Sequence, residues 1–232
     1  MYVKSVLSAF ALLAISHSAF SAAADAGGVV LSATRVVYDA KNKETSISIK
    51  NRNVDQYFLV QSWIDDNHGN KKVPFTITPP LFRLSADKEN MLRIIKTAGD
   101  VPDDRESVFY INVKAIPPVP DDAAAQNTLQ VAIKTRIKLF YRPKGLPGKP
   151  EESYQQLQWS IQGNDLVVNN PTPYSVSFNE ISVGGKDVKE INMVEAKSES
   201  RYPISAGQRG KISFTAINDF GGISGSVTAS AH

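Results

Sequence analysis

Hydrophobic residues recur at every second position along most of this chain, and no segment holds a convincing helical period. "GVVLSATRVVYD", "ETSISIKN", "YFLVQSWIDD" and "VPFTITPPLFRL" alternate in this way. So do "NMLRIIKT", "SVFYINVKAIPP" and "TLQVAIKTRIKLFYRP". Period two sends successive side chains to opposite faces of a strand, one face packed and the other wet. The runs are closely spaced, and "DAKNK", "DDNHGN" and paired prolines interrupt them as turns. This pattern predicts an antiparallel β-sandwich.

"KGLPGKPEE" (144–152) concentrates Pro, Gly and charge, as a linker does. Strand patterns resume after it in "LQWSIQGNDLVVNN", "YSVSFNEISV", "KISFTAIND" and "GSVTASA". The expected organisation is an all-β chain of two sandwich domains, 22–143 and 150–232, joined by a linker at 144–149. Ahead of them, Lys4 precedes the apolar run "VLSAFALLAISHSAF", and "AFSAAADA" offers small residues at cleavage spacing. Residues 1–21 therefore read as a secretory signal, cut between Ser21 and Ala22. No later stretch is apolar enough to span a membrane.

The chain has no Cys, so neither disulfides nor a thiolate metal site is available, and core burial must supply stability. Removal of the signal leaves 25 basic against 23 acidic residues, which is no nucleic-acid footprint. Of three His, His17 lies in the signal and His232 ends the chain, leaving His68 in a turn. A Ser-His-Asp or Cys-His arrangement has little material here. "DDNHGN" misplaces its Gly for a calcium loop, and "GLPGKP" lacks the spacing and hydroxyl of a nucleotide loop. No enzyme, metal or cofactor is expected.

One segment stands out electrostatically. "KTRIKLFYRP" (134–143) holds four cations, of which Lys134, Arg136 and Lys138 alternate with Thr135, Ile137 and Leu139. A solvated strand face would produce this, and so would a site needing fixed positive charge.

Six fragments appear in order: "TRVVYD", "TPPLFRL", "RESVFYINVKAIPP", "IKLFYRP", "NPTPYSVSF" and "INDFGG". Together they resemble the periplasmic pilus-assembly chaperones, the PapD-like family, over essentially the whole mature chain. The resemblance implies two immunoglobulin-like domains set at an angle with a cleft between them. It implies a periplasmic protein that binds nascent pilus subunits, donates a β-strand to their incomplete fold and delivers them to an outer-membrane usher without ATP.

Residue by residue, the resemblance places a subunit-carboxylate anchor at Arg35 and Lys138. It places donor residues at Leu129, Val131 and Ile133, and an inter-domain ion network at Glu106, Arg142 and Asp219. Leu59, Gln61, Thr78, Pro79 and Pro80 map onto an usher-facing patch. Lys134 and Arg136 are expected to be solvated edge charges. Strict alternation sets Lys138 opposite Ile133 in facing, which a bulge or strong twist would reconcile. The connection "PPVPDDAAAQNTLQ" and the missing cysteines fit the short-loop branch of the family. An exposed apolar strand can also cap itself against a second copy of the chain.

Other classes fit less well. A carbohydrate-binding sandwich would show aromatics on loops, whereas Trp63 and Trp159 sit inside strand patterns and are expected in the core. A pilus subunit would be a single domain.

Overall fold

The computed structural model describes residues 28–97, 99–119 and 129–230, so the proposed signal segment lies outside the described residues. The first nine strands build one domain. They are β1 (Val29–Leu31), β2 (Arg35–Asp39), β3 (Glu44–Asn51), β4 (Phe58–Asp65) and β5 (Phe75–Thr78). β6 (Leu81–Leu84), β7 (Glu89–Lys96), β8 (Ser107–Ile116) and β9 (Ile133–Arg142) complete it. A four-stranded sheet, β1-β3-β7-β5, packs on a five-stranded sheet, β2-β9-β8-β4-β6. Alternate residues of both sheets, among them Ile49, Leu92, Ile111 and Leu139, are fully buried between them. Tyr38, Phe75, Phe109 and Tyr141 contact one another within this core.

Pairing is antiparallel except between β2 and β9, which run parallel from Arg35↔Lys138 to Asp39↔Arg142. The expectation of a purely antiparallel sandwich is corrected here. These two strands lie at opposite ends of the domain's sequence, so no hairpin forces them antiparallel.

The second domain begins with a 3-10 helix at Pro150–Gln156. Eight strands follow: β10 (Gln158–Gln162), β11 (Asp165–Asn170), β12 (Val176–Val183) and β13 (Lys186–Asp187). Then come β14 (Met193–Val194), β15 (Ser198–Pro203), β16 (Ile212–Ile217) and β17 (Val227–Ala229). The sheets are β10-β11-β15 and β13-β12-β16-β17, with β14 added to β12. Trp159, Phe178, Tyr202 and Phe214 stack at the centre of this separate core. Trp159 is buried as expected, but Trp63 is not a core residue. The alternation of β4 gives the inward positions to Val60, Ser62 and Ile64, leaving Trp63 half-buried on the outer face.

The two sandwiches form an all-β protein of two immunoglobulin-like domains set at an angle around a cleft. Between the cores, Gly145 and Gly148 adopt φ of +74° and +78°, a left-handed region in which glycine is unstrained. The Tyr174 hydroxyl hydrogen-bonds the carbonyls of Leu146 and Gly148, at 3.3 and 3.2 Å, and ties this segment to the second domain.

Candidate functional site

β9 carries most of the expected site residues and divides them by face. Its pairing with β8 runs without a shift from Ser107↔Tyr141 to Ala115↔Ile133. The bulge that would have turned Lys138 toward Ile133 is absent. Odd-numbered residues face the first core and even-numbered ones the outer face, where Lys138 and Arg142 reach the second domain.

On that outer face, the register sets Arg35 beside Lys138. Lys138 Nζ donates to Ser177 Oγ at 3.3 Å, across the domain boundary. Arg35 Nη1 donates to the carbonyl of Ile217 at 3.1 Å, and its guanidinium lies 5.8 Å from the Phe140 ring centroid. Arg35 Nε is buried and has no hydrogen-bond partner among the described residues. Burial, and then the neighbouring Arg35 charge, push the Lys138 amine down to about 8. Burial also lowers Arg35, against the opposing pull of Asp219. Two desolvated cations, one with an orphaned donor, are an incomplete arrangement that an anion would complete.

At the end of the same strand, Arg142 joins the domains. Its Nε donates to Glu106 Oε1 at 2.6 Å. Nη1 and Nη2 hold Asp219 through a fork of 2.7 and 3.0 Å. Burial opposes the Arg142 charge, but its bonds to Asp219 and the charges of Glu106 and Asp219 prevail and raise it. Glu106 is almost fully enclosed, and its second oxygen accepts the Ser175 N–H at 2.8 Å. Burial pushes the Glu106 carboxyl up, and Arg142 and the Ser175 N–H work against this. Lys197 and Asp104 add a further link at 2.7 Å. The three residues expected to form an ion network thus meet in space.

Leu129, Val131 and Ile133 are 88, 63 and 63% exposed, although they continue the core-facing row of Ile137 and Leu139. Val131 and Ile133 overhang a groove of about 350 Å³ that reaches Val29, Phe58 and Ala115. Only Ile133 lies within β9, and Leu129 and Val131 precede it. Part of the connection from β8 falls outside the described residues. β2 begins at Arg35, so among the described residues the outer edge of β9 from Ile133 to Ile137 has no strand beside it.

Leu59 and Gln61 face outward on β4, where they oppose Arg83 and Leu81 of β6. Thr78 ends β5, and its bond to Pro79 is cis. The carbonyls of Pro79 and Pro80 accept from Ser62 Oγ and the Ser62 N–H, at 2.7 and 2.9 Å, which fixes this turn beside Gln61.

Arg136 departs from the expected solvated charge. It donates to Asp65 Oδ1 at 3.1 Å and to the Asp66 carbonyl at 2.8 Å, and it lies 3.9 Å from the Tyr110 ring centroid. Sequence reasoning also missed Ser177 and the Ile217 carbonyl. Ser177 lies within the fragment "NPTPYSVSF", but a main-chain acceptor leaves no side-chain signal.

The described residues thus combine two β-sandwich domains with an open strand edge, an exposed apolar strip and a pair of partly buried cations. Two family models match the chain. Residues 28–147 match "Pili and flagellar-assembly chaperone, PapD N-terminal domain". Residues 152–227 match "Pili assembly chaperone PapD, C-terminal domain". The chaperone protein LpfB of Salmonella typhimurium is 50% identical over 200 residues, covering 84% of this chain and 86% of the relative. The probable fimbrial chaperone SfmC of Escherichia coli is 41% identical over 214 residues, or 91% and 93% of the two chains. Among solved structures, the E. coli chaperone DraB matches with a TM-score of 0.78 and 36% identity, covering 89% of this chain and 97% of its own. The SafB chaperone of Salmonella enterica, solved with the SafA pilin, gives a TM-score of 0.81 at 34% identity, covering 88% and 96%. The chain belongs to the PapD-like family of pilus-assembly chaperones. It is a chaperone and not an enzyme.

Proposed function

We propose that this chaperone works in the periplasm, reached through its N-terminal signal, and binds pilus subunits there. The open edge of β9 pairs with a subunit strand, and the exposed strip lends side chains to the subunit's incomplete core. The subunit's C-terminal carboxylate sits between Arg35 and Lys138. The loaded complex then passes to an outer-membrane usher through the surface around Leu59, Gln61, Thr78, Pro79 and Pro80. ATP has no part in this.

The parallel register Arg35↔Lys138 carries the proposal. A strand that ends in its carboxylate at this pair must approach along the vacant line ahead of β2. It therefore runs parallel to β9, beside Ile137 through Ile133. A carboxylate gains about 1.5–3 kcal/mol from each charge-assisted bond. Fixing the strand's end also fixes its register, and a one-residue slip would turn every side chain to the wrong face. The opposite facing of Lys138 and Ile133 is then no conflict. The terminal carboxylate ends the docked strand on the cation side, while Leu129, Val131 and Ile133 fill the subunit groove from the other. The complex of SafB with a pilin supports the class of partner. Without a subunit, two copies can pair through the same edge.

The test is recovery of a candidate subunit from periplasmic extracts with wild type and with Lys138→Ala, each checked for folding by circular dichroism. Recovery with wild type and loss with the folded variant is expected. Equal recovery would remove Lys138 from the mechanism.

A further inference from the structure

We infer that the cavity at the junction of the two domains is a site for a small organic cation with an apolar body. Glu151 would hold the charged end, and Tyr154, Val176 and Phe220 would line the body. This goes beyond the subunit-binding reading, and neither Arg35 nor Lys138 lines the cavity.

The cavity measures about 610 Å³, and sites of roughly 300–1,000 Å³ take small molecules. Three pieces of chain enclose it: Arg142 at the end of β9, the 3-10 helix from Pro150, and a second-domain wall that includes Val176, Ala216 and Phe220. Phe220 borders it and is 97% exposed. Its backbone is nevertheless pinned. Asn218 Oδ1 accepts the N–H groups of Phe220 and Gly222 at 3.0 and 2.8 Å, and the adjoining Asp219 is forked onto Arg142. An aromatic ring is thus left in water on a preorganised loop, and covering it requires little ordering of the chain.

Charge selects the occupant. Arg142 commits Nε, Nη1 and Nη2 to Glu106 and Asp219, so it has little left for a ligand. Glu151 also lines the cavity, and among the described residues it is in no salt bridge. Lys149, two residues before it, is bound to Glu152 at 2.9 Å. The acids Glu106, Glu151 and Asp219 therefore outnumber the single cation Arg142 at this junction. Burial pushes the Tyr174 hydroxyl up, Arg142 pulls it down, and all three acids add to the rise. An anion would meet repulsion here. An ammonium group would instead pair with Glu151 and could lie against the Tyr154 or Phe220 ring. A ligand reaching from Glu151 to Phe220 also touches both the segment after the linker and the loop that holds Arg142, so its binding braces the domain junction.

The test uses the whole chaperone and three probes that share one apolar body: phenylbutylamine, phenylbutanol and phenylbutyrate. Amide chemical shifts at neutral pH locate and titrate each one. The amine is expected to shift the amides of Tyr154, Ser175 and Phe220 with a Kd of about 0.1–1 mM, as a ligand of this size gives. It should bind there roughly threefold to tenfold tighter than the alcohol. Glu151→Gln should erase that preference, and Phe220→Ala should weaken amine and alcohol alike. Both residues are exposed, so both variants are expected to fold as wild type does. Small-angle scattering with saturating amine should show a narrower spread of domain angles, and an unchanged spread would overturn the bracing. Equal binding of amine and alcohol would overturn the site, as would a preference that survives Glu151→Gln. So would the absence of these shifts at about 10 mM amine. The butyrate is expected elsewhere, at the amides around Lys138 and Ser177, and its binding in the cavity more tightly than the amine would overturn the inference too.

Discussion

Arg35 and Lys138 are lateral neighbours across the parallel pairing of β2 and β9, so two partly buried cations face the same cleft, and among the described residues neither is in a salt bridge. Each is held by a neutral acceptor of the second domain, Ile217 O and Ser177 Oγ respectively. Free chaperone therefore keeps repulsion and desolvation that a bound carboxylate would relieve. Lys138→Met retains the stem and removes the charge. Screening by water leaves a gain of about 1 kcal/mol, which raises Tm by roughly 2–4 °C at neutral pH. Subunit affinity is expected to fall at least tenfold, to about the loss of one charge-assisted bond. Thermal unfolding and subunit titration of the same preparation check both signs.

The lowered Lys138 amine gives binding and stability opposite pH trends. With its value near 8 in the folded chain against the ordinary 10.5, the folded state binds fewer protons than the unfolded state between those limits. The contribution of Lys138 to stability thus rises with pH across that window and is flat below it. Carboxylate binding needs the charged amine, so affinity holds below about pH 8 and falls above it by up to about tenfold per unit. Calorimetry near pH 8.5 in buffers of different ionisation heat should record proton uptake on binding, because the carboxylate pulls the amine back up. Arg35 stays charged throughout, so some affinity should persist at high pH.

Arg142 predicts a different outcome. Removing it leaves Glu106 enclosed with the Ser175 N–H as its remaining partner, and frees Asp219 from its fork. Breaking a buried pair on one side costs about 3–5 kcal/mol. Arg142→Ala should therefore lower stability by about 3 kcal/mol. Arg142→Met with Glu106→Gln should lose less, since no buried charge is left unmatched. Denaturant unfolding measures the difference, and small-angle scattering should show a wider spread of domain angles in both variants.

What the sequence revealed follows from the range of each interaction. Period two is local, so the sandwich strands were legible in runs such as "ETSISIKN". The phase of β4 was harder, because it has large residues on both faces, and Trp63 was misassigned to the core. Arg35 pairs with Lys138 across about a hundred residues, and no local pattern reveals that register or its parallel sense. The association of Glu106, Arg142 and Asp219 came from ordered fragments resembling a family, since charge pairing at such separation has no period. Ser177 and the Ile217 carbonyl were silent for a related reason. Their role lies in where the second domain puts them, and their residue types are ordinary for a strand.

The exposed strip separates folding from function most sharply. Leu129, Val131 and Ile133 share a row with Leu139, yet Leu139 is fully buried and Leu129 is 88% exposed. Leu139→Ala should cost about 2–5 kcal/mol by opening a cavity in the first core. Leu129→Ser should change stability by less than about 0.5 kcal/mol, as exposed substitutions do. If the strip supplies side chains to a subunit, Leu129→Ser and Ile133→Ser should each still leave a folded chaperone with an intact cation pair. Subunit yield should nevertheless drop, and subunit that escapes capture should aggregate through its own open groove. Pairing these stability measurements with co-purification makes the assignment testable. A strip residue whose loss unfolds the chaperone belongs to its core, and one whose loss spares the fold but forfeits the subunit belongs to the donated strand.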